Sequence, residues 1–413
     1  MRKVAIAGFG TVGQAVAKIL SERYADRFEL THVFNRDVKR KRVEWLPSSV
    51  QWTENIADVV SSDADVLIEV AGGLTPAEDW VRAALEAGKS VVTANKQLIA
   101  HRGPALIALA HEHRQHLLFG ASVAGGVPVL SGLQHGLAGD KLVAVRGILN
   151  GTCNFILTKI EREGAPFLNA LEEAQRLGFA EAEPTDDVDG YDARAKLTIL
   201  SRVALDATVV PEQIVCRSIR QIAPIDFEYA HILNCTIRQI SRAELRKEEL
   251  AASVAPSLVA KDSPLASVQG GQNLVVSTGV SGGDIVFSGA GAGGNPTAVA
   301  VVSDLLALEH MNVVSAQSAG EKDHRVTADF TTAHYLRFTV ADRPGIIAGI
   351  ARILAEHQIN IDAIVQKPGF SKARLPFVIT LEPCSTVTVE AALKDIEKLD
   401  FNVQAPLNLA ILQ

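Results

Sequence analysis

The stretch that most constrains this 413-residue chain is its first one. Val4 to Ala7 is a short aliphatic run, and Gly8-Phe9-Gly10-Thr11-Val12-Gly13 follows it directly as G-x-G-x-x-G. The string alone is a weak signal. A strand before it, a helical pattern behind it and a second strand ending about 20 residues on make it specific. The first glycine permits a tight turn, the second lets a pyrophosphate approach the backbone, and the third lets helix and strand pack closely. The helix start offers free N–H groups and partial positive charge to the phosphates. A glycine turn with no ligand is the competing reading. The segment predicts an α/β, doubly wound parallel sheet of the Rossmann type, with Gly8, Phe9, Gly10, Thr11, Val12 and Gly13 as cofactor contacts.

The rest of residues 1–128 agrees with that fold. Phe28 to Phe34, Val66 to Val70, Ser90 to Thr93 and Leu117 to Phe119 read as strands, with helical patterns between several of them. Hydrophobic residues make up 47 % of the chain and aromatics only 5 %, so the core must be aliphatic, which suits buried parallel strands. The length corresponds to about 2.8 domains, so more must follow.

Beyond Pro128 the texture changes to an α+β mixture over 129–315. Residues 141–149, 254–259, 274–280 and 284–288 read as strands, and Thr152 to Leu177 as mostly helical. A glycine turn at 289–294 precedes a helix near 297–310, which is expected to return to the nucleotide domain. A linker is read at 316–332. Residues 333–413 show a β-α-β-β-α-β pattern, the ferredoxin-like order, with strands near 335–340, 360–366, 375–381 and 401–409.

Forty Lys and Arg stand against 47 Asp and Glu, a net charge of −7, which argues against nucleic acid as a partner. No run of about 18 apolar residues suggests a membrane helix. The N-terminus has no cleavage-site pattern, and four scattered cysteines with no C-x-x-C pair read as free thiols of a cytoplasmic protein.

Two local charge clusters sit inside that balance. The second strand ends at Asn35-Arg36-Asp37, where an Arg suits the 2′-phosphate of NADP and an acid the ribose of NAD. Arg36 therefore points to NADP(H), with NAD(H) left open by Asp37. The basic run at 39–42 reads as a solvated helix face. The second cluster runs from Glu181 through Asp187 to Asp192, and Lys196 follows four residues later, on the same face of a helix. Three readings stand side by side: carboxylates gripping an ammonium-bearing substrate beside a proton-handling lysine, an acidic helix cap, or a Ca2+ or Mg2+ site. Three histidines at 111, 113 and 116 do not share one helix face and read as surface residues.

Ala174-x-x-x-Gly178-Phe179-Ala180, then Pro184-x-x-Asp187-Val188-x-Gly190-x-Asp192-x-x-x-Lys196, resembles the signature of homoserine dehydrogenases. Val92 to Lys96, Ser122 to Pro128, Gly147 to Thr152, and Gly289 to Gly293 with Pro296-Thr297 occur in that family's order, so the resemblance spans nearly the whole chain. Ala341-Asp342-Arg343-Pro344-Gly345 is similar to the first turn of an ACT domain. The resemblance implies reversible hydride transfer between NAD(P)H and L-aspartate 4-semialdehyde, giving L-homoserine for threonine, methionine and isoleucine biosynthesis. It implies substrate binding by Glu181, Asp187 and Asp192, general-acid catalysis by Lys196, and a place for Lys96 beside cofactor and reacting carbon. Gly72 and Gly293 are implied as further cofactor contacts. Threonine is the implied effector, held near Asp342, Gly345 and Asn360, and a homodimer or homotetramer the implied assembly.

The chain departs from the family pattern in three places. Glu183 stands where Asp, Asn or Ser is preferred, and Cys153 where many members have Thr. Gly120 stands where many members carry a Glu that binds Na+ or K+ together with backbone carbonyls, here those of Val123, Gly125 and Val127. Losing that carboxylate argues against a cation at this site. A dehydrogenase resembling phosphoglycerate dehydrogenase, and a nucleotide-bound amino-acid sensor, are the competing functions; both lysines within matching motifs speak against the sensor.

Overall fold

The computed structural model describes residues 1–247, 249–311 and 322–412, and its compact units are two. The first comprises Met1–Val145, Ala195–Pro211 and Gln272–His324. Its sheet contains β1 (Arg2–Ala7), β2 (Phe28–Phe34), β3 (Gln51–Thr53), β4 (Val66–Glu69), β5 (Ser90–Thr93) and β6 (Leu117–Leu118). All pair parallel in the order β3-β2-β1-β4-β5-β6, so the winding reverses between β1 and β4. Val4 to Ala7 and Val66 to Thr93's strand residues are buried on both faces, which is why these strands read as unbroken aliphatic runs. β3 escapes sequence detection because three residues at a sheet edge carry no usable period.

Helices Thr11–Arg23 and Gly294–Ala307 cover the same core, with Val16, Ala17 and Leu20 meeting Ala298, Val301 and Leu305. The second helix begins three residues before the expected Thr297. Gly293 precedes it at φ +114°, and a Cβ on Gly294 would lie 2.6 Å from Thr11 Cγ2, so only glycine lets the two helix starts approach. An antiparallel hairpin, Gln272–Gly279 with Gly283–Ala290, also belongs to this unit.

The second unit comprises Arg146–Arg194, Glu212–Gly271 and Arg325–Gln413. Strand Cys235–Arg246 pairs antiparallel with Glu249–Ala260 over twelve residues each. The first of these was not legible in the sequence. Its residues 235–241 are all buried, Arg238 and Gln239 included, so no apolar–polar alternation marks it. Arg238 is tolerated there because its guanidinium donates to Glu161 at 2.9 Å. Strand Leu407–Leu412 then joins parallel to Glu249–Ala260, and Thr331–Val340, Leu375–Ser385 and Ile361–Val365 continue antiparallel. Helices Ile346–Glu356 and Thr386–Ile396 complete the ferredoxin-like module.

Two details differ from expectation. The last strand starts at Leu407 rather than 401, because Pro406 has no N–H to give the ladder and Phe401 is used as a core residue. Of the linker read at 316–332, residues 316–321 lie outside the described residues. Arg325–Thr327 is a strand paired with Glu249–Ala251, so the latter part is anchored chain.

Candidate functional site

The loops after β2, β1, β4 and β5 lie at the carboxyl ends of adjacent strands, the edge at which open parallel sheets take ligands. Gly8 has φ +103°, and a Cβ there would sit 2.8 Å from Ala71 N; a Cβ on Gly13 would lie 2.1 Å from Gly8 O. A Cβ on Gly10 would meet nothing within 4 Å, and Gly10 caps helix Thr11–Arg23 without any side chain of its own. The helix start thus faces open space, which fits a pyrophosphate. Gly72, at φ +78°, faces open space as well. Phe9 turns its ring into the core against Trp52, leaving only its backbone to the loop.

At the tip of β2 the side chains sort themselves. Asn35 Oδ1 accepts from Asp37 N–H at 3.0 Å, and Asp37 Oδ1 accepts from Arg40 N–H at 3.0 Å, capping the short helix Val38–Lys41. The one carboxylate at the tip is thereby engaged, while Arg36 stays exposed.

Lys96 is positioned by a buried polar network. Glu69, fully buried, accepts from Ala71 N–H (2.9 Å), Gly72 N–H (3.1 Å) and the Thr93 hydroxyl (2.6 Å), and burial pushes its carboxyl above the usual range. Thr93 Oγ1 in turn accepts from Asn95 N–H, and Asn95 donates to the Gly73 carbonyl at 2.6 Å. Asn95 Oδ1 caps helix Lys96–Glu112 by accepting from Leu98 N–H, so Lys96 is held as the first helical residue.

Strand Leu142–Ile148 runs to Asn150 of the second unit, whose amide does three things. Its Oδ1 accepts from Cys153 N–H at 2.8 Å and caps helix Gly151–Glu163. Its Nδ2 donates to Asp187 at 2.6 Å and to Asp192 at 2.8 Å. The structure thus brings Asp187 and Asp192 together through one amide. Asn150 had no role assigned from sequence; the available signal was an Asn before Gly-Thr at a strand-to-helix junction, the position of a cap. Asp192 is buried in the first turn of helix Tyr191–Leu205, and Lys196 lies one turn further on the same helix face. Glu181 is exposed and forms no hydrogen bond with these carboxylates.

The departures from the family pattern resolve locally. Glu183 accepts from both the N–H and the hydroxyl of Thr185, the first residue of the short helix Thr185–Val188. Cys153 is fully buried, its thiol set against the Asp187 carbonyl at 3.1 Å and pushed well above its ordinary range by burial; it packs.

At Gly120 a Cβ would lie 2.6 Å from Asp304 Oδ1, and Gly120 N–H donates to Asp304 Oδ2 at 2.8 Å. The carbonyl of Val127 accepts from Val129 N–H at 2.7 Å. Residue 120 itself therefore brings no carboxylate to the carbonyls of Val123, Gly125 and Val127, and the carboxyl that stands beside it is that of Asp304. Asp304, unforeseen from sequence, has its carboxyl pushed up to about 7 by burial.

In the C-terminal module, Asp342 and Gly345 are exposed, and Gly345, at φ +94°, precedes helix Ile346–Glu356. Asp342 N–H already donates to the Lys372 carbonyl at 2.7 Å, and Asn360 donates to Glu382 at 3.0 Å.

Comparison with known proteins follows the same division. Residues 8–120 match the family model for the homoserine dehydrogenase NAD-binding domain, 128–306 that for homoserine dehydrogenase, and 334–401 that for the ACT domain. A homoserine dehydrogenase of Synechocystis sp. is 34% identical over 99% of this chain and 99% of its own length. One from Bacillus subtilis is 37% identical over 89% of this chain and 88% of its own. A crystal structure of a homoserine dehydrogenase from Thiobacillus denitrificans superposes with a TM-score of 0.92 at 34% identity, over 100% of this chain and 98% of that one. A hyperthermophilic archaeal homoserine dehydrogenase in complex with NADPH superposes at 0.64 and 28% identity, over 76% of this chain and 99% of that one.

Proposed function

The chain belongs to the homoserine dehydrogenase family, a family of nicotinamide-dependent oxidoreductases, and within it we propose an enzyme that reduces L-aspartate 4-semialdehyde to L-homoserine with NADPH. The observation that carries the reading is Asn150 holding Asp187 and Asp192 side by side, with Asp192 one helical turn ahead of Lys196.

The residues divide the work as follows. Asp192 and Asp187, with Glu181 from the loop, bind the substrate's ammonium by charge-assisted hydrogen bonds and orient the aldehyde. Lys196 donates a proton to the carbonyl oxygen as the hydride reaches the carbon, so the developing alkoxide leaves as the hydroxyl of homoserine. Lys96, fixed by its capped helix, adds positive charge at the same oxygen. NADPH, when bound, supplies the hydride. Gly8 to Gly13, Gly72 and Gly293 receive its phosphates and Arg36 its 2′-phosphate; the engagement of Asp37 as a cap supports this preference over NAD. Glu69 and Asn95 act as positioning residues for Gly72 and Lys96.

The product feeds the synthesis of threonine, methionine and isoleucine, and the ACT domain receives threonine as feedback effector. The decisive experiment is oxidation of NADPH, followed by the loss of the reduced nicotinamide's absorbance, with aspartate semialdehyde, with and without L-threonine. Turnover that threonine slows supports both parts; no turnover above background removes the reading.

A further inference from the structure

Within the second unit, a cleft of about 530 Å3 opens between the segment carrying Arg217 and helix Thr386–Ile396. Small-molecule sites measure about 300–1,000 Å3. Behind it lies a chamber of about 30 Å3 that shares Arg217, Glu390 and Asn408 with the cleft and is lined further by Arg242, Ser253 and His334. Such a chamber holds about two water-sized atoms, the requirement of a carboxylate's two oxygens.

The lining is polar and underused. Arg242 lies flat on Phe330, its guanidinium carbon 3.6 Å from the ring centre. It makes one long hydrogen bond, Nε to Ser253 Oγ at 3.4 Å, and no ion pair with any described residue. His334 is 1% exposed; its Nδ1 pairs with Asn408 Oδ1 at 3.0 Å, while Nε2 makes no well-formed hydrogen bond, the Cys384 carbonyl lying near the ring. Burial, with a smaller contribution from the two guanidiniums, holds this imidazole below its ordinary range. Arg217 is pinned by its own N–H to the Val254 carbonyl at 2.8 Å and reaches across the mouth to Glu390. Two guanidiniums thus face one carboxylate.

We propose that this cleft binds a small free α-amino acid, with its carboxylate on Arg242 and Arg217 and its ammonium on Glu390. The proposal rests on the effector reading above and moves the ligand away from the first turn of the ACT module, where the Asp342 N–H and the Asn360 amide are already engaged. Arg242 belongs to strand Cys235–Arg246, whereas His334, Glu390 and Asn408 belong to the C-terminal module. A ligand here ties the two together.

The test is calorimetric titration of the full-length protein with each protein L-amino acid in turn, acetate serving as control, and melting temperature as a second readout. At least one amino acid is expected to bind at millimolar concentration or below, with Kd raised about tenfold or more by Arg242→Gln and by Arg217→Gln, and unchanged by Asn360→Ala. Arg217 is partly exposed, so its variant remains informative if Arg242→Gln does not fold. No binding at about 10 mM, binding indifferent to both arginine variants, or binding abolished by Asn360→Ala overturns the proposal. Heat of binding is read without turnover, so failure of the enzymatic reading would show separately, in the NADPH assay.

Discussion

Asn150 is the side chain on which the candidate site depends, because its amide satisfies a helix end and two carboxylates at once. The neighbouring acids and Lys196 carry the chemistry. Lys196→Ala is expected to leave NADPH binding intact, measured by fluorescence, while kcat falls by on the order of 10²–10⁴; a near-normal kcat refutes the assignment. Arg36→Ala should raise KM for NADPH by about tenfold or more and leave KM for NADH nearly unchanged. Equal effects on both cofactors would remove Arg36 from the 2′-phosphate. Asp304 makes a pH prediction. Its folded-state carboxyl holds a proton up to about pH 7, whereas an unfolded chain releases it near pH 4. The folded protein therefore binds the extra proton between roughly pH 4 and 7, and stability falls as pH rises through that window. Asp304→Asn should melt above the parent protein at pH 8, by a margin that narrows until the two converge near pH 4. The same difference at both pH values would show that titration of Asp304 is not involved.

At the level of elements, the glycine positions and the buried polar ties decide where functional side chains stand. The β1 turn and helix Thr11–Arg23 were legible because tight turn, close packing and open helix start each demand glycine at one named position. Strand Cys235–Arg246 was not, since burial of both faces erases its period. A second tie was equally hidden: Asp226, fully buried on helix Pro224–Ile232, accepts from Ala223 N–H and the Tyr335 hydroxyl, with Arg337 2.7 Å away. Tyr335 and Arg337 lie more than 100 positions from Asp226, which no local pattern reports. Asp226→Ala strands a buried guanidinium and is expected to cost about 3–5 kcal/mol by urea denaturation. A loss below about 1 kcal/mol would mean that Arg337 finds another partner.

For the whole molecule, the C-terminal module is continuous with the second unit's core. Tyr335, Val378, Leu407 and Leu409 pack in one cluster with Cys153, Ile237 and Leu258. At about 1.5–3 kcal/mol for each buried side chain, these four contribute about as much as a domain's entire stability. Deleting residues 331–413 is therefore expected to leave a chain without a cooperative melting transition by calorimetry. A sharp transition at the parent temperature would show the module to be separable.

What the sequence determined by itself was the nucleotide fold, five of the six strands that carry it, and the family, because each rests on local chemistry: aliphatic runs, glycine at fixed positions, and motifs of contiguous residues. The tertiary structure decided which acids meet. Asp187 and Asp192 are joined by an amide some forty positions upstream, while Glu181 stays exposed. It also decided that the carboxyl beside Gly120 is Asp304, from a helix far along the chain, and that Arg242 and His334 line one chamber. Such pairings are fixed by packing and desolvation between segments distant in sequence, and neither leaves a mark in the local pattern of residues.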